Sequence, residues 1–313
     1  MPAERLYYDA SALDALEFTA TVTDIRLDSK DASGQLWQLS LDRTAFYPTG
    51  GGQPHDAGTL TAVSRSGAVL EVAVERVEED DSGEVWHYVR KPLLEGAEIT
   101  GRVDAERRLD LAQQHSGQHL LSAVFLRELS APTVSFHLGQ DKVTIDLAIP
   151  ALSDDDLRRI ELAVNREIFA NHAIRPRWVA RDEAEAMLAR GDLRKLPERE
   201  GAMRLVEIEG IEHNACGGTH VASTGAIGSI LLRRTEKVKQ GTRVEFVCGL
   251  RAIAAARRDF DTLRQTASLL STGTAELPAR VEKLFADNKA AAKELKTLKK
   301  AAEAAPGMHN PER

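Results

Sequence analysis

Four residues in two pairs carry the clearest chemistry of the chain. His115 and His119 form His-x-x-x-His, and on a helix a spacing of four puts both imidazoles on one face, within reach of a single ion. The second pair is Cys216-Gly217-Gly218-Thr219-His220, where the glycines let the backbone turn tightly enough for thiolate and imidazole to converge. Three imidazoles and one thiolate suit Zn²⁺, a borderline-soft ion that prefers nitrogen and sulfur in tetrahedral array. Each pair alone has a plain reading, since histidines four apart are common on helices and an isolated cysteine is usually a small buried hydrophobe. Both together, one on a helix and the other in a glycine-rich loop between strands, favour a shared metal site.

A second feature is the loop Tyr47-Pro48-Thr49-Gly50-Gly51-Gly52-Gln53-Pro54. Its glycines allow close backbone approach, and its amides could receive a phosphate or a carbonyl oxygen. No Lys-Ser/Thr follows, and no G-x-G-x-x-G opens a helix, so nucleoside triphosphate binding is unsupported. The bland alternative is a glycine-rich hairpin turn. His137 sits on a strand whose alternation turns it away from Phe136 and Leu138, toward solvent or a cleft. His55, His87, His172, His213 and His309 have no partner at ligand spacing and read as surface or structural residues.

The elements that must hold these residues fall into three segments, 1–101, 102–249 and 250–313. From Phe18 to about Arg90, short alternating runs separated by Gly, Asp and Ser turns predict a small β-barrel or sandwich. Val103 to Leu129 has helical spacing with Asp104 as N-cap, and Ser153 followed by three aspartates predicts a helix to about Ala170. Strands are expected at Thr133–Leu138, Lys142–Ile149, Ile174–Val179, Arg204–Glu209, Ile227–Arg234 and Thr242–Cys248, which gives an α+β two-layer domain. After it, Ile253, Ala256, Phe260, Leu263, Ala267 and Leu270 step by three and four. A Ser271-Thr272-Gly273 break separates them from a second series, Leu277, Val281, Leu284, Asn288, Ala291, Leu295, Leu298 and Ala302. This coiled-coil-like seam could fold back on itself or pair two subunits as a homodimer; Asn288 would suit a specific register. Pro306 onward reads as frayed.

With 313 residues the chain has room for about two domains and a real core. Lys plus Arg 41 against Asp plus Glu 48 gives a net charge of −7, so any nucleic-acid contact must come from local basic patches. One candidate is the stretch holding Arg233, Arg234, Lys237, Lys239 and Arg243 against Glu236. Another is the lysine series 289, 293, 296, 299 and 300 on the last helix. A composition 42% hydrophobic and 28% charged excludes a disordered chain. Two cysteines offer no disulfide framework, and neither a leader-like apolar core nor a membrane-length apolar run is present. A cytoplasmic location is expected.

Phe46-Tyr47-Pro48-Thr49-Gly50-Gly51-Gly52-Gln53-Pro54-His55-Asp56-Ala57-Gly58, then His115-Ser116-Gly117-Gln118-His119-Leu120-Leu121, then Cys216 to His220 occur in this order. These motifs resemble the editing domain of alanyl-tRNA synthetase, most of all its free-standing AlaX-type trans-editing relatives, over about residues 5–250. The resemblance implies hydrolysis of Ser-tRNA(Ala), and often Gly-tRNA(Ala). It implies zinc on His115, His119, Cys216 and His220, and a Gly50 to Gln53 loop lining the pocket for the aminoacylated 3′ end. It assigns recognition of the seryl hydroxyl to Thr44, and its fold is a small β-barrel beside an α/β editing domain. The C-terminal seam resembles the helices that follow that domain; in longer forms a further globular domain comes next, one this sequence is expected to lack. Catalytic zinc usually keeps an open position, whereas four protein ligands suggest a closed site. Ligand displacement, five-coordination, or simple anchoring with Gln53 or a ribose hydroxyl positioning the water all remain open. A non-catalytic, zinc-stabilised tRNA-binding module is the rival reading.

Overall fold

The computed structural model describes residues 3–8, 11, 13–14, 16–64, 66–139, 142–196 and 201–304. Residues 1–253 form one compact unit and residues 254–313 a second.

The alternating N-terminal pattern closes on itself. After β1 (Glu4–Arg5), the strands β2 (Glu17–Asp31), β3 (Gly34–Leu41), β4 (Arg43–Thr44), β5 (Gly58–Val63), β6 (Val69–Glu79), β7 (Val85–Val89) and β8 (Glu98–Val103) follow in sequence. Six of them form a closed barrel in the order β2-β3-β7-β6-β5-β8, while β4 pairs in parallel with β1. Closure leaves no unpaired edge. The inward residues Val22, Leu39, Phe46, Leu60, Val77, Val85 and Val89 fill the barrel.

Helix α1 (Ala105–Leu129) leaves the barrel directly, with the Asp104 side chain accepting from the Glu106 and Arg107 amides as its expected N-cap. Every residue from Leu111 to Phe125 is buried, so α1 is the central helix of the unit rather than a surface helix. Around it come β9 (Thr133–Leu138), β10 (Val143–Leu147), α2 (Asp154–Ala170), β11 (Ile174–Val179), α3 (Arg181–Arg190), β12 (Met203–Ile208), β13 (Glu212–Ala215), β14 (Ile230–Val238) and β15 (Gly241–Cys248). They build a four-stranded antiparallel sheet, β14-β15-β10-β9, and a three-stranded one, β11-β12-β13. Leu120, Leu121, Val124 and Phe125 of α1 share one core with Ile145, Ile160, Val206 and Phe246. The fold is α+β. The Ser153 capping box of α2 is formed as its sequence predicts, and β14 starts at Ile230 because Thr224–Ile227 winds into a short 3₁₀ turn.

The C-terminal helices are α4 (Gly249–Leu269) and α5 (Leu277–Ala304), interrupted where the sequence breaks the seam. Along α5 the apolar positions Leu284, Leu295 and Leu298 are exposed. Pro306 and His309 lie outside the described residues. No helix among the described residues is long and apolar enough to cross a membrane.

Candidate metal centre

The two sequence pairs meet. His115, His119, Cys216 and His220 present ligand atoms that all lie within 4.8 Å of one another. Cys216 Sγ is 3.4 Å from His115 Nε2 and 3.3 Å from His220 Nε2. Metal–sulfur and metal–nitrogen bonds of zinc length at a tetrahedral angle give an S···N edge of about 3.5 Å. The donor types and their spacing therefore fit one zinc ion.

A second layer of residues aims the imidazoles. The Thr219 amide donates to Gln53 Oε1 (3.1 Å), which fixes that atom as oxygen; His115 Nδ1, 2.8 Å away, must then carry a proton and donate to it. This leaves the lone pair of His115 on Nε2, the atom facing the sulfur. His220 Nδ1 lies 3.1 Å from Ser116 Oγ, which also accepts from the Val221 amide. His119 Nδ1 faces Asn214 Nδ2 at 3.1 Å and Glu212 Oε1 at 3.8 Å. His115 and His220 thus have an oxygen acceptor behind the ring, as metal-binding histidines generally do; behind His119 stands an amide NH₂ group, with the Glu212 carboxylate beyond it.

The sulfur loop is held by Arg204, which donates to the carbonyls of Tyr8 (2.8 Å), Cys216 (2.7 Å) and Gly218 (3.1 Å). Gly218 cannot be larger: a Cβ there would fall 2.2 Å from His115 and 2.9 Å from Gln53 Oε1. Gly52, at φ +82°, is equally confined by the Phe136 ring.

Burial sets the protonation states. Desolvation holds His115 and His220 well below the ordinary imidazole value and pulls His119 down to about 4, with Arg194 and Arg204 adding repulsion on His119. Neutral imidazoles are the form that binds a metal. Burial raises the Cys216 thiol, opposed by the Gly218 amide and Arg204. Glu212 is pushed up to about 7 by desolvation, although Arg194 pairs with it.

Of the other sequence candidates, Gln53 is brought to the cluster. Thr44 is wholly buried, with its hydroxyl 2.8 Å from His87 Nε2 and accepting from the Phe46 amide. Gly50 and Gln53 exchange backbone hydrogen bonds that close the glycine loop, and Tyr47 Oη donates to the Gly50 carbonyl. Arg233 and Arg234 lie exposed at a bulge of β14. Arg243 is not a free cation: Asp146 holds it through two bonds, and Glu236 lies 3.6 Å away. His137 is exposed and lines a 460 Å³ cavity with Lys142, Arg234 and Arg243. Among the remaining histidines, His87 is a buried structural residue, while His172 and His213 sit beside Glu167 and Glu207. Arg108 and Asp56 form a fully buried ion pair that ties the glycine loop to α1. Neither this pair nor Arg204 stands out in the sequence, because single charges inside a helix and a strand look like solvated positions.

The family model described as "Threonyl and Alanyl tRNA synthetase second additional domain" matches residues 203–245, and that of "tRNA synthetases class II (A)" matches residues 2–107. The alanine–tRNA ligase of Pyrococcus furiosus is 34% identical over 305 residues, covering 94% of this chain and 31% of the ligase. The alanyl-tRNA editing protein Aarsd1 of Bos taurus is 34% identical over 280 residues, covering 86% of this chain and 60% of that protein. The chain is a relative of both. It spans about a third of the ligases and about two thirds or less of the editing proteins; Aarsd1 of Rattus norvegicus, at 33% identity, is covered to 65%. The alignment with the P. furiosus ligase takes in nearly the whole chain.

Proposed function

We propose that this chain hydrolyses the ester joining serine, and glycine, to tRNA(Ala), acting in trans on the mischarged acceptor end in the cytoplasm. The observation that carries this reading is the convergence of His115, His119, Cys216 and His220 beside Gln53 and the glycine loop, in a relative of named alanyl-tRNA editing proteins. The four residues would hold Zn²⁺, which when bound lowers the pKa of a coordinated water to about 7 and polarises an ester carbonyl.

The chain's own residues do the rest. Gln53 fixes the His115 tautomer; Gly50 closes the loop through its bond to the Gln53 carbonyl, and the amides of Gly51 and Gly52 are the donors offered to the ester end of the substrate. Serine differs from alanine by one hydroxyl, and a small synthetic pocket rejects such an isostere by only ~10²-fold in a comparable case. An editing site works in the opposite sense. It pairs the hydroxyl, so that alanine leaves a buried group unsatisfied at a cost of about 1–3 kcal/mol.

The Thr44 hydroxyl is already engaged within the barrel. His87 Nδ1 faces the Leu39 carbonyl and so carries the proton, which makes Nε2 an acceptor and commits the Thr44 hydroxyl proton to it. Thr44 could only accept from a seryl hydroxyl, and it is enclosed. We assign it to shaping the entry to the glycine loop through Phe46. Arg233, Arg234 and the α5 lysines supply phosphate contacts. The exposed stripe of α5 supports pairing of two copies through the C-terminal helices.

The test is release of serine from Ser-tRNA(Ala) by metal-loaded protein, with Gly-tRNA(Ala) and Ala-tRNA(Ala) alongside. Cleavage that disappears in a folded Cys216→Ala variant supports the proposal. Metal and tRNA binding without cleavage supports the non-catalytic module, which the closed four-ligand pattern favours.

A further inference from the structure

A cavity of 220 Å³ opens beside Cys216, with none of the three clustered histidines in its lining, and is used by none of the steps above. Its walls are Tyr8, Trp178, Met203, Arg204, Ala215 and Cys216, and they are mostly apolar. It is smaller than the ~300–1,000 Å³ typical of pockets for drug-sized ligands, which leaves room for a single ring system. A seryl side chain, one carbon and one hydroxyl, has no use for such a space.

The aromatic rings here are ordered. Tyr47, whose hydroxyl holds Gly50, packs edge-to-face on Tyr7 (centroids 5.3 Å apart). Tyr7 packs on Tyr8 (4.7 Å) and Tyr8 on Trp178 (5.7 Å). The chain of rings runs from the glycine loop to the cavity and ends on Trp178, a large indole left 49% exposed on β11. Arg204 fixes the near wall by bonding both the Tyr8 and the Cys216 carbonyls.

From this placement we infer that the Tyr8–Trp178 cavity is the seat of the terminal nucleobase of the aminoacylated strand, stacked on Trp178. Every nucleobase has a π-face, so an aromatic platform takes it without reading its edge. The wall and the metal cluster share Cys216, and in an aminoacyl nucleoside only one ribose ring separates base from ester. A base in this cavity therefore directs the ester toward the cluster. The inference rests on the proposed deacylase reading for its substrate, but its test separates the two.

Tryptophan fluorescence of the metal-loaded full chain is titrated with the trinucleotide CCA and with the same trinucleotide made abasic at its terminal residue. CCA quenches and the abasic form does not, and the quench is lost in Trp178→Phe, which leaves only Trp37 and Trp86. In deacylation of Ser-tRNA(Ala), Trp178→Ala raises KM about 10-fold with kcat nearly unchanged, as expected for loss of one base stack. Tyr8→Leu, which removes the neighbouring wall, gives the same pattern. Equal quenching by the two trinucleotides, or an unchanged KM in both variants, overturns the inference. A chain that cleaves no aminoacyl-tRNA but still shows the Trp178-dependent, base-dependent quench keeps the base site while the deacylase reading falls.

Discussion

Gln53 Oε1 stands 2.8 Å from His115 Nδ1, joining the glycine loop of the barrel to the central helix across 62 positions of sequence. Because the same oxygen takes the Thr219 amide, one side chain couples the glycine loop, the helix and the sulfur loop. Gln53→Leu should therefore lower zinc affinity about 10- to 100-fold, the usual effect of losing such a supporting partner. Chelator competition measures it, and affinity equal to wild type would show that His115 needs no such anchor.

The buried Arg108–Asp56 pair has no solvent to fall back on. Arg108→Met strands the Asp56 carboxylate and should destabilise the 1–253 unit by about 3–5 kcal/mol in urea unfolding. A loss below about 1 kcal/mol would mean that the carboxylate finds another partner or reaches water.

His87 makes the barrel acid-sensitive. Burial pulls its imidazole from 6.5 down to about 4, so the unfolded chain binds the extra proton between those values. Stability from this residue is complete above pH 6.5 and is lost as pH falls toward 4, amounting to about 3 kcal/mol. In chelator, where metal release cannot contribute, His87→Gln should flatten the rise of unfolding free energy from pH 4 to 6.5. Parallel curves for the two proteins would remove His87 as the cause.

Thr44 distinguishes reading from positioning. If it only shapes the loop, Thr44→Val lowers stability by about 1–3 kcal/mol through the unsatisfied His87 and Phe46 groups and leaves the preference for seryl over alanyl ester intact. Loss of that preference with stability preserved would return the seryl hydroxyl to Thr44.

Local signals made much of this fold legible. Asp104 and Ser153 announce α1 and α2, and the boundaries follow because each cap satisfies amides at its own helix start. Helix α3 carries no such mark: its N-cap is Ala180, without a side-chain bond, and it buries only Ala184 and Met187. Strands β5 and β8 are similarly muted, since Gly58 and Gly101 interrupt their alternation; Gly101 leaves space for the Phe18 ring. The four-residue cluster is readable because a metal site restricts both residue type and spacing. Arg204, Asn214 and the Asp56–Arg108 pair are not, because their partners lie far away in sequence and only the fold brings them together.

In the proposed reaction, one zinc ion shared by His115, His119, Cys216 and His220 serves ester hydrolysis on mischarged tRNA(Ala). The most direct measurement is the initial rate of serine release from Ser-tRNA(Ala), taken on the chain at one zinc per chain, after chelation, and after zinc is restored. Hydrolysis should fall to background on chelation and return with zinc, with Ala-tRNA(Ala) spared throughout. Serine release that persists undiminished in the fully metal-free protein, or none from the fully loaded one, would contradict it.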